Sequence, residues 1–161
     1  MKALIIGCPG SGKSTFARKL QGVTGLPLCH LDMLFWNSDK TTVPRDVFDS
    51  RLEKVLAGDA WIIDGNYGRT MERRLKYCDT VFFLDLPTER CLANIRARRG
   101  APRPDMPWVE QEPDAEFEFY VKKFYEKQRP QIIDLLQLHK NKNIYVFKSH
   151  EETDEYIKSL K

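Results

Sequence analysis

Long apolar runs, a large net charge and internal repeats are all missing from this sequence. No apolar stretch approaches the roughly 20 residues that a membrane-spanning helix needs, and the net charge of +3 is too small to indicate nucleic-acid binding by itself. No low-complexity tract or linker interrupts the chain. With 161 residues, 42% of them hydrophobic, the sequence predicts a single domain over residues 1–161 without a membrane partner.

Cysteine and histidine are also sparse. The four cysteines form no C-x-x-C pair, and His30, His139 and His150 do not cluster in the chain. This spacing is not typical of a disulfide framework, a zinc site or a Ser-His-Asp triad. We therefore expect reduced thiols in a cytoplasmic protein that has no signal peptide.

The strongest pattern lies at the amino terminus. Residues 3–6 form a short apolar run, residues 7–14 read GCPGSGKS, and a helical pattern follows. Strand, glycine loop and helix are the context that the phosphate-binding P-loop motif G-x-x-x-x-G-K-[ST] requires. The alternative interpretation of these residues is a tight strand-to-helix turn with an incidental lysine and serine. Glycines let backbone N–H groups approach phosphate oxygens, and the helix N-terminus adds a positive dipole end. The motif predicts a site for ATP.

Eight residues of this motif are predicted to bind the nucleotide: Gly7, Pro9, Gly10, Ser11, Gly12, Lys13, Ser14 and Thr15. Lys13 is the predicted catalytic cation for the outer phosphates, and the hydroxyl of Ser14 is a predicted ligand of Mg²⁺.

Two carboxylates follow predicted strands. Asp32 follows the apolar residues 26–31, and Asp64 follows residues 60–63. Since ligands bind at the carboxyl ends of parallel strands, Asp32 is a candidate catalytic residue near an acceptor, and Asp64 a candidate outer-sphere partner of Mg²⁺. A loop carboxylate or local cap for Asp32, and a simple Asp-Gly turn for Asp64, are the alternatives. Arg69, just beyond, is placed to bind a phosphate through two parallel hydrogen bonds.

The densest positive cluster surrounds a loop rich in proline and glycine. Arg96, Arg98, Arg99 and Arg103 lie close together in the chain. One interpretation is a solvated helix end, where cations favour the negative dipole pole. The other is a mobile lid over about residues 98–113, whose arginines close over a transferring phosphoryl group. A phosphate site needs such charges, which favours the lid and makes Arg98, Arg99 and Arg103 candidate catalytic residues.

Strand and helix patterns alternate along the whole chain. Strands are predicted at residues 3–6, 26–31, 60–63, 80–84 and 143–147. Helices are predicted after Lys13 and at residues 44–56 and 70–77. Three more are predicted to begin at the caps Thr88, Asp114 and Ser149. Pro130 is predicted to split or kink the long helix that begins at Asp114. The aromatic face of that helix (Phe117, Tyr120 or Val121, Phe124, Tyr125) is predicted to be core rather than a stacking platform. This order predicts an α/β fold with a five-stranded parallel sheet flanked by helices.

Several segments together resemble the bacterial topology modulation proteins, a family related to adenylate kinase. They are residues 7–14 (GCPGSGKS), 30–32 (HLD), 35–36 (FW), 61–67 (WIIDGNY), 84–87 (LDLP) and 103–106 (RPDM), and the similarity spans nearly the whole chain. The resemblance implies an ATP-binding P-loop NTPase of the nucleoside-monophosphate-kinase type with a short, arginine-rich lid. The family's name comes from a proposed link to DNA supercoiling.

Site residues carry over from this resemblance position by position. Lys13 and Ser14 match the phosphate and Mg²⁺ residues of adenylate kinases, and Asp64 with Gly65 matches their Asp-Gly after the third strand. Arg69 resembles the arginine that grips the acceptor phosphate, one residue further along. Arg98 resembles a lid arginine, and Arg103 with Asp105 resembles the later lid pair.

Two positions depart from the adenylate-kinase pattern. Phe35 stands where adenylate kinases have an arginine that binds AMP, which argues against AMP as the acceptor. Asn94 stands where many of them stack an arginine on the adenine, so the base preference stays open.

We therefore expect a phosphotransferase that moves the γ-phosphoryl group of ATP to an unidentified nucleotide or small-molecule acceptor. The alternative is an ATP-binding regulator or slow NTPase linked to DNA topology. A DNA partner would depend on Lys140, Lys142 and the lid arginines, which are a thin basic surface.

Overall fold

A computed structural model describes residues 1–161. Its elements, in chain order, are β1 (Lys2–Gly7), α1 (Lys13–Thr24), β2 (Leu28–His30), α2 (Leu31–Phe35), α3 (Arg45–Leu56), β3 (Trp61–Asp64), α4 (Gly68–Tyr77), β4 (Thr80–Leu84), α5 (Thr88–Arg98), α6 (Ala115–Leu138), β5 (Asn143–Phe147) and α7 (His150–Ser159). No helix combines the length and the apolar character needed to cross a bilayer.

All five strands lie in one parallel sheet with the order β2-β3-β1-β4-β5. The central strands β1, β3 and β4 are almost entirely buried, because helices cover both faces of a parallel sheet. From β1 the chain runs to β2 and β3 on one side and later to β4 and β5 on the other. This change of direction opens a crevice at the carboxyl end of β1. The predicted five-stranded parallel sheet is confirmed.

The second strand is shorter than predicted. β2 ends at His30, and Leu31 begins the short helix α2, so Asp32 lies in the first turn of a helix. The apolar run over residues 26–31 does not distinguish strand from helix by periodicity. The register decides the boundary, because His30 pairs with Asp64, the last residue of β3, and no partner strand remains beyond it.

Pro130 was predicted to split or kink the long helix, and the split is wrong, since α6 runs without interruption from Ala115 to Leu138. Proline removes one helical hydrogen bond and costs about 3 kcal/mol in a helix interior. Buried residues on both sides of Pro130 offset that cost by packing in the hydrophobic core: Val121, Phe124, Ile132 and Leu136. Tyr125, predicted to be core, is instead 58% exposed and lies against the guanidinium of Arg129.

Two of the three predicted helix caps are confirmed. The Asp114 side chain accepts from the Phe117 amide at 3.0 Å, and Ser149 Oγ accepts from the Glu152 amide at 3.2 Å. The third is wrong by one residue, because Pro87 occupies the N-cap of α5 and Thr88 is its first helical residue.

A buried carboxylate joins β4 to α6 and to the segment after β5. Asp85 accepts hydrogen bonds from Arg129 Nε at 2.9 Å and Nη2 at 2.8 Å, and it also pairs with Lys148. Burial raises the pKa of Asp85, but the bonds from Arg129 and Lys148 outweigh this effect, and the pKa lies below its ordinary value. Folding therefore favours the ionised carboxylate.

Replacing Asp85 with asparagine is expected to lower the free energy of unfolding by about 2 kcal/mol near neutral pH, because charge-assisted bonds are lost. This contribution is present above the unfolded pKa of about 4 and disappears as the pH falls through the lower folded pKa. Urea denaturation from pH 7 to pH 2 measures it. Asp134→Asn, at an exposed position of α6, is the control and is expected to change stability by less than about 0.5 kcal/mol. Identical pH dependence in wild type and Asp85→Asn would contradict the assignment.

Candidate active site

Residues 8–12 connect β1 to α1, and side chains from several elements hold the carbonyl groups around this phosphate loop. Lys13 Nζ donates to the Gly7 carbonyl at 3.0 Å and to the Cys8 carbonyl at 3.1 Å. Asn66 Nδ2 donates to the Gly7 carbonyl at 2.6 Å, and Asn94 Nδ2 donates to the Gly10 carbonyl at 2.8 Å. His150 Nε2 lies 3.2 Å from the Ser11 carbonyl. With these carbonyls occupied, the loop has a defined conformation supported by the segment after β3, by α5 and by α7.

Five amide groups in the loop and the first turn of α1 have no acceptor within the chain. They belong to Gly10, Gly12, Lys13, Ser14 and Thr15, all of which line one cavity. Free N–H groups at the start of a helix bind anions, because the donors and the helix dipole act together. The loop is therefore built to receive phosphate oxygens.

At two positions of the loop, a positive φ and a close neighbouring atom leave room only for glycine. Gly10 has φ 85°, and a Cβ there would collide with the carbonyl of Cys91 in α5. Gly12 has φ 91°, and a Cβ there would lie 2.9 Å from His150 Nε2. Glycine allows the loop to pack this closely against α5 and α7.

The cavity has a volume of about 1280 Å³ and opens at the carboxyl edge of the sheet. Six of the eight predicted nucleotide-binding residues line it: Pro9, Gly10, Gly12, Lys13, Ser14 and Thr15. Gly7 and Ser11 are buried and do not line the cavity. The cavity also receives Asp32, Asp64, Arg98, Arg99 and Arg103, so residues predicted from distant parts of the sequence meet there.

Lys13, Ser14 and Asp64 lie where a phosphate chain and a divalent cation would meet. Burial lowers the pKa of Lys13, and the negative charge of Asp64 opposes this shift. The Asp64 carboxylate bonds His30 Nδ1, and the hydroxyl of Ser14 accepts from Arg18. A hydroxyl and a carboxylate are oxygen donors of the type that Mg²⁺ prefers, so the residues present fit this ion.

A buried arginine holds the segment that follows β3. Arg74 of α4 donates to the carbonyls of Gly65 at 2.9 Å and Tyr67 at 3.2 Å, and also to that of Asn66. Burial lowers the pKa of Arg74 to about 10. These bonds direct Asn66 towards the phosphate loop and Tyr67 towards Asp32.

Asp32 faces the cavity from α2. Tyr67 Oη donates to its carboxylate at 2.5 Å, and Tyr67 itself adopts the left-handed backbone conformation, with φ 39°. Burial raises the pKa of Asp32, the bond from Tyr67 opposes this, and the nearby charge of Asp64 adds to the rise. The carboxylate therefore has a higher proton affinity than an exposed one, which is a property of a general base.

The arginine-rich end of α5 and the segment between α5 and α6 also line the cavity. Arg98 has a buried Nε without a hydrogen-bond partner, and burial and the neighbouring Arg103 lower its pKa. Carboxylates of the same region accompany these cations: Glu110 lies 3.9 Å from Arg98 and 3.4 Å from Arg103, Asp105 lies 3.6 Å from Arg103, and Glu118 lies 3.4 Å from Arg99. Ion pairs with neighbouring carboxylates therefore hold the side chains of Arg98, Arg99 and Arg103 in position.

Arg69 does not reach the cavity. It is the second residue of α4, and its guanidinium donates to the Asp49 carboxylate of α3 at 2.6 Å and 3.1 Å. It lines a separate, smaller pocket beside Phe35 and Phe48. Its predicted contact with an acceptor phosphate is therefore not supported by the position of its side chain.

Sequence reasoning missed several contributors to this site. His30 ends β2, and His150 begins α7 three residues after β5, so the positions of the strand ends alone would have brought both to the edge that carries the loop. Trp108, which also lines the cavity, lies in an irregular segment whose course no local pattern predicts.

No protein-family model matches this chain, and no curated protein matches it by sequence. Among solved structures, the chain is similar to the crystal structure of a shikimate kinase from Bacteroides thetaiotaomicron, with a TM-score of 0.65 and 15% sequence identity. The match covers 99% of this chain and 96% of that chain. At this identity the similarity shows a shared fold. The chain therefore has the predicted P-loop fold of the nucleoside-monophosphate-kinase type.

Proposed function

We propose that this protein is an ATP-dependent phosphotransferase that moves the γ-phosphoryl group of ATP to a separate acceptor. The observation that carries the proposal is the meeting of free loop amides, Lys13, the Asp32 carboxylate and the Arg98 guanidinium in one cavity. Phosphoryl transfer depends on positioning and on stabilisation of charge, and these are the groups that supply both.

The phosphate loop would bind the triphosphate of ATP. Its amides would donate to phosphate oxygens, and Lys13 would exchange its carbonyl partners for the outer phosphates. Ser14 and, through water, Asp64 would hold Mg²⁺, which would neutralise phosphate charge when bound. The bond from His30 holds the Asp64 carboxylate in position.

Asp32 and the arginines would act on the transfer itself. Asp32, held by Tyr67, would orient an acceptor hydroxyl and take its proton. Arg98, Arg99 and Arg103 would stabilise negative charge on the transferred group. We propose that residues 98–113 form a lid within a single domain of residues 1–161, since the bond from the Gly100 amide to the Glu110 carbonyl at 2.6 Å closes this segment as a loop.

Two further expectations belong to this proposal. We propose membership of the adenylate-kinase-related topology modulation family, since five of the six motifs that resemble it contribute residues to the cavity lining. The four cysteines are all free, which supports the expected cytoplasmic location.

The test is release of ADP from ATP and Mg²⁺ in the presence of nucleotides and small hydroxyl compounds. We expect at least one acceptor to stimulate release, with the phosphorylated acceptor appearing in equal amount. Release at one rate whatever the acceptor would instead indicate a simple NTPase. ATP binding with only slow hydrolysis and salt-sensitive DNA affinity would indicate the regulator.

A further inference from the structure

Two tryptophans form one wall of the cavity on the side of Asp32. Trp36 ends α2, and its amide donates to the Asp32 carbonyl at 3.0 Å. Trp108 comes from the segment between α5 and α6, and its ring lies 5.4 Å from that of Trp36, at 78°. Both line the cavity, and the buried Nε1 of Trp108 has no hydrogen-bond partner. Because the two indoles meet edge to face, they form an apolar corner, in which a ring can pack against the face of one indole and the edge of the other.

Few basic side chains lie on the Asp32 side of the cavity, and each already contacts another group of the protein. From residue 31 to residue 77, Lys40 is the only basic side chain that lines the cavity, and its Nζ lies 5.3 Å from the Trp108 ring centre. Arg69 and Arg73 pair with Asp49 and Glu53 outside the cavity. Phosphate esters are bound in proteins by free arginines, and this wall presents none.

Negative charge on the same side disfavours a second phosphate. Asp32, Asp105 and Glu110 all line the cavity near the indoles, and Asp105 is 7% exposed. Arg98 and Arg103 lie among these carboxylates, and the transferred phosphoryl group already needs them. A phosphate on the acceptor would face these three carboxylates with only Lys40 as a further cation, and this imbalance of charge selects against phosphorylated compounds.

We infer that the acceptor is an alcohol that carries no phosphate group and that its ring packs between Trp36 and Trp108 while its hydroxyl meets Asp32. This inference rests on the proposed function. In the reaction, the hydroxyl oxygen bonds to the γ-phosphorus, the bond from that phosphorus to the β–γ bridging oxygen breaks, and the hydroxyl proton passes to Asp32. The products are ADP and a phosphate ester of the alcohol.

The experiment uses matched pairs of compounds with and without phosphate: adenosine and AMP, uridine and UMP, glucose and glucose 6-phosphate, and inositol and inositol 1-phosphate. ADP release is measured for each with ATP and Mg²⁺, and tryptophan fluorescence is recorded during titration without ATP. We expect an unphosphorylated member to release ADP at least about tenfold faster than its partner and to change the fluorescence. Of the three tryptophans, Trp61 is 1% exposed in the core, so the change reports on Trp36 and Trp108.

The outcomes separate this inference from the proposed function. Faster release with the phosphorylated member of a pair would leave the phosphotransferase standing and overturn the inference. Release that no compound stimulates would overturn the phosphotransferase, and the inference with it.

Variants of the indole wall give an independent readout. Trp36→Ala and Trp108→Ala are expected to raise the acceptor KM about tenfold while the KM for ATP stays the same, and Trp36→Phe is expected to keep most of the affinity. Phe119→Ala, at an exposed aromatic of α6 outside the cavity, is the matched control. Equal rises in both KM values, or no change in either, would overturn the packing role, and far-UV circular dichroism confirms that each variant is folded.

Discussion

Replacing Lys13 with alanine is expected to lower acceptor-stimulated ADP release by about 100- to 1,000-fold. Lys13 is the only lysine or arginine of the phosphate loop, and its Nζ lies within 3.1 Å of two loop carbonyls, ready to reach a phosphate. Its loss removes charge stabilisation where negative charge is concentrated during transfer. Steady-state kinetics give the effect on turnover, and calorimetry gives the effect on ATP binding.

The fold is expected to survive this change. Burial already lowers the pKa of Lys13, so removing the ammonium relieves a desolvation cost. Lys54→Ala, at an exposed position of α3, is the matched control and should keep wild-type turnover. A folded Lys13→Ala protein with normal turnover would refute the proposed role of the loop.

Replacing Arg98 with alanine is expected to lower turnover by about 1,000-fold, the lower end of the range for an arginine that stabilises a transferring phosphoryl group. Arg98 lies in the cavity with an unpartnered Nε, and it shares Glu110 with Arg103. Because its contact would form with the transferred group, kcat should fall while the KM for ATP changes little. Initial rates over a range of ATP concentrations separate the two parameters.

Arg96→Ala provides the control on the same helix. Arg96 is exposed, pairs with Glu118 at 3.1 Å and does not line the cavity, so its loss should leave kcat within about twofold, as expected for an exposed ion pair. Arg98→Lys keeps the charge without the planar fork and should recover only part of the activity. If Arg96→Ala and Arg98→Ala lowered kcat equally, the effect would belong to the helix end and the lid hypothesis would fall.

The phosphate loop and the parallel sheet were predictable because their determinants are local. The glycines, Lys13 and Ser14 are contiguous, and the apolar strand before them and the helix after them are short-range patterns. Asp64 was found in the same way, as the residue that ends a buried strand. The structure brings these residues to one cavity edge, as parallel strands require.

The direction of Arg69 was not predictable in this way. Its position after Asp64 suggested a phosphate contact, but α4 turns the side chain towards Asp49 of α3. Asp49 lies 20 residues earlier in the chain, and only the packing of α3 against α4 makes them neighbours. The continuity of α6 through Pro130 has the same origin, because burial of residues on both sides decides it.

By itself, then, the sequence determined the order of the five strands and of the longer helices, the parallel sheet and the anion-binding loop, since each follows from residues adjacent in the chain. Tertiary structure alone decided that Trp36 meets Trp108, that Tyr67 holds Asp32, and that Arg98 enters the cavity while Arg69 does not. These contacts join residues far apart in sequence, and their geometry depends on how whole elements pack, which no local pattern records.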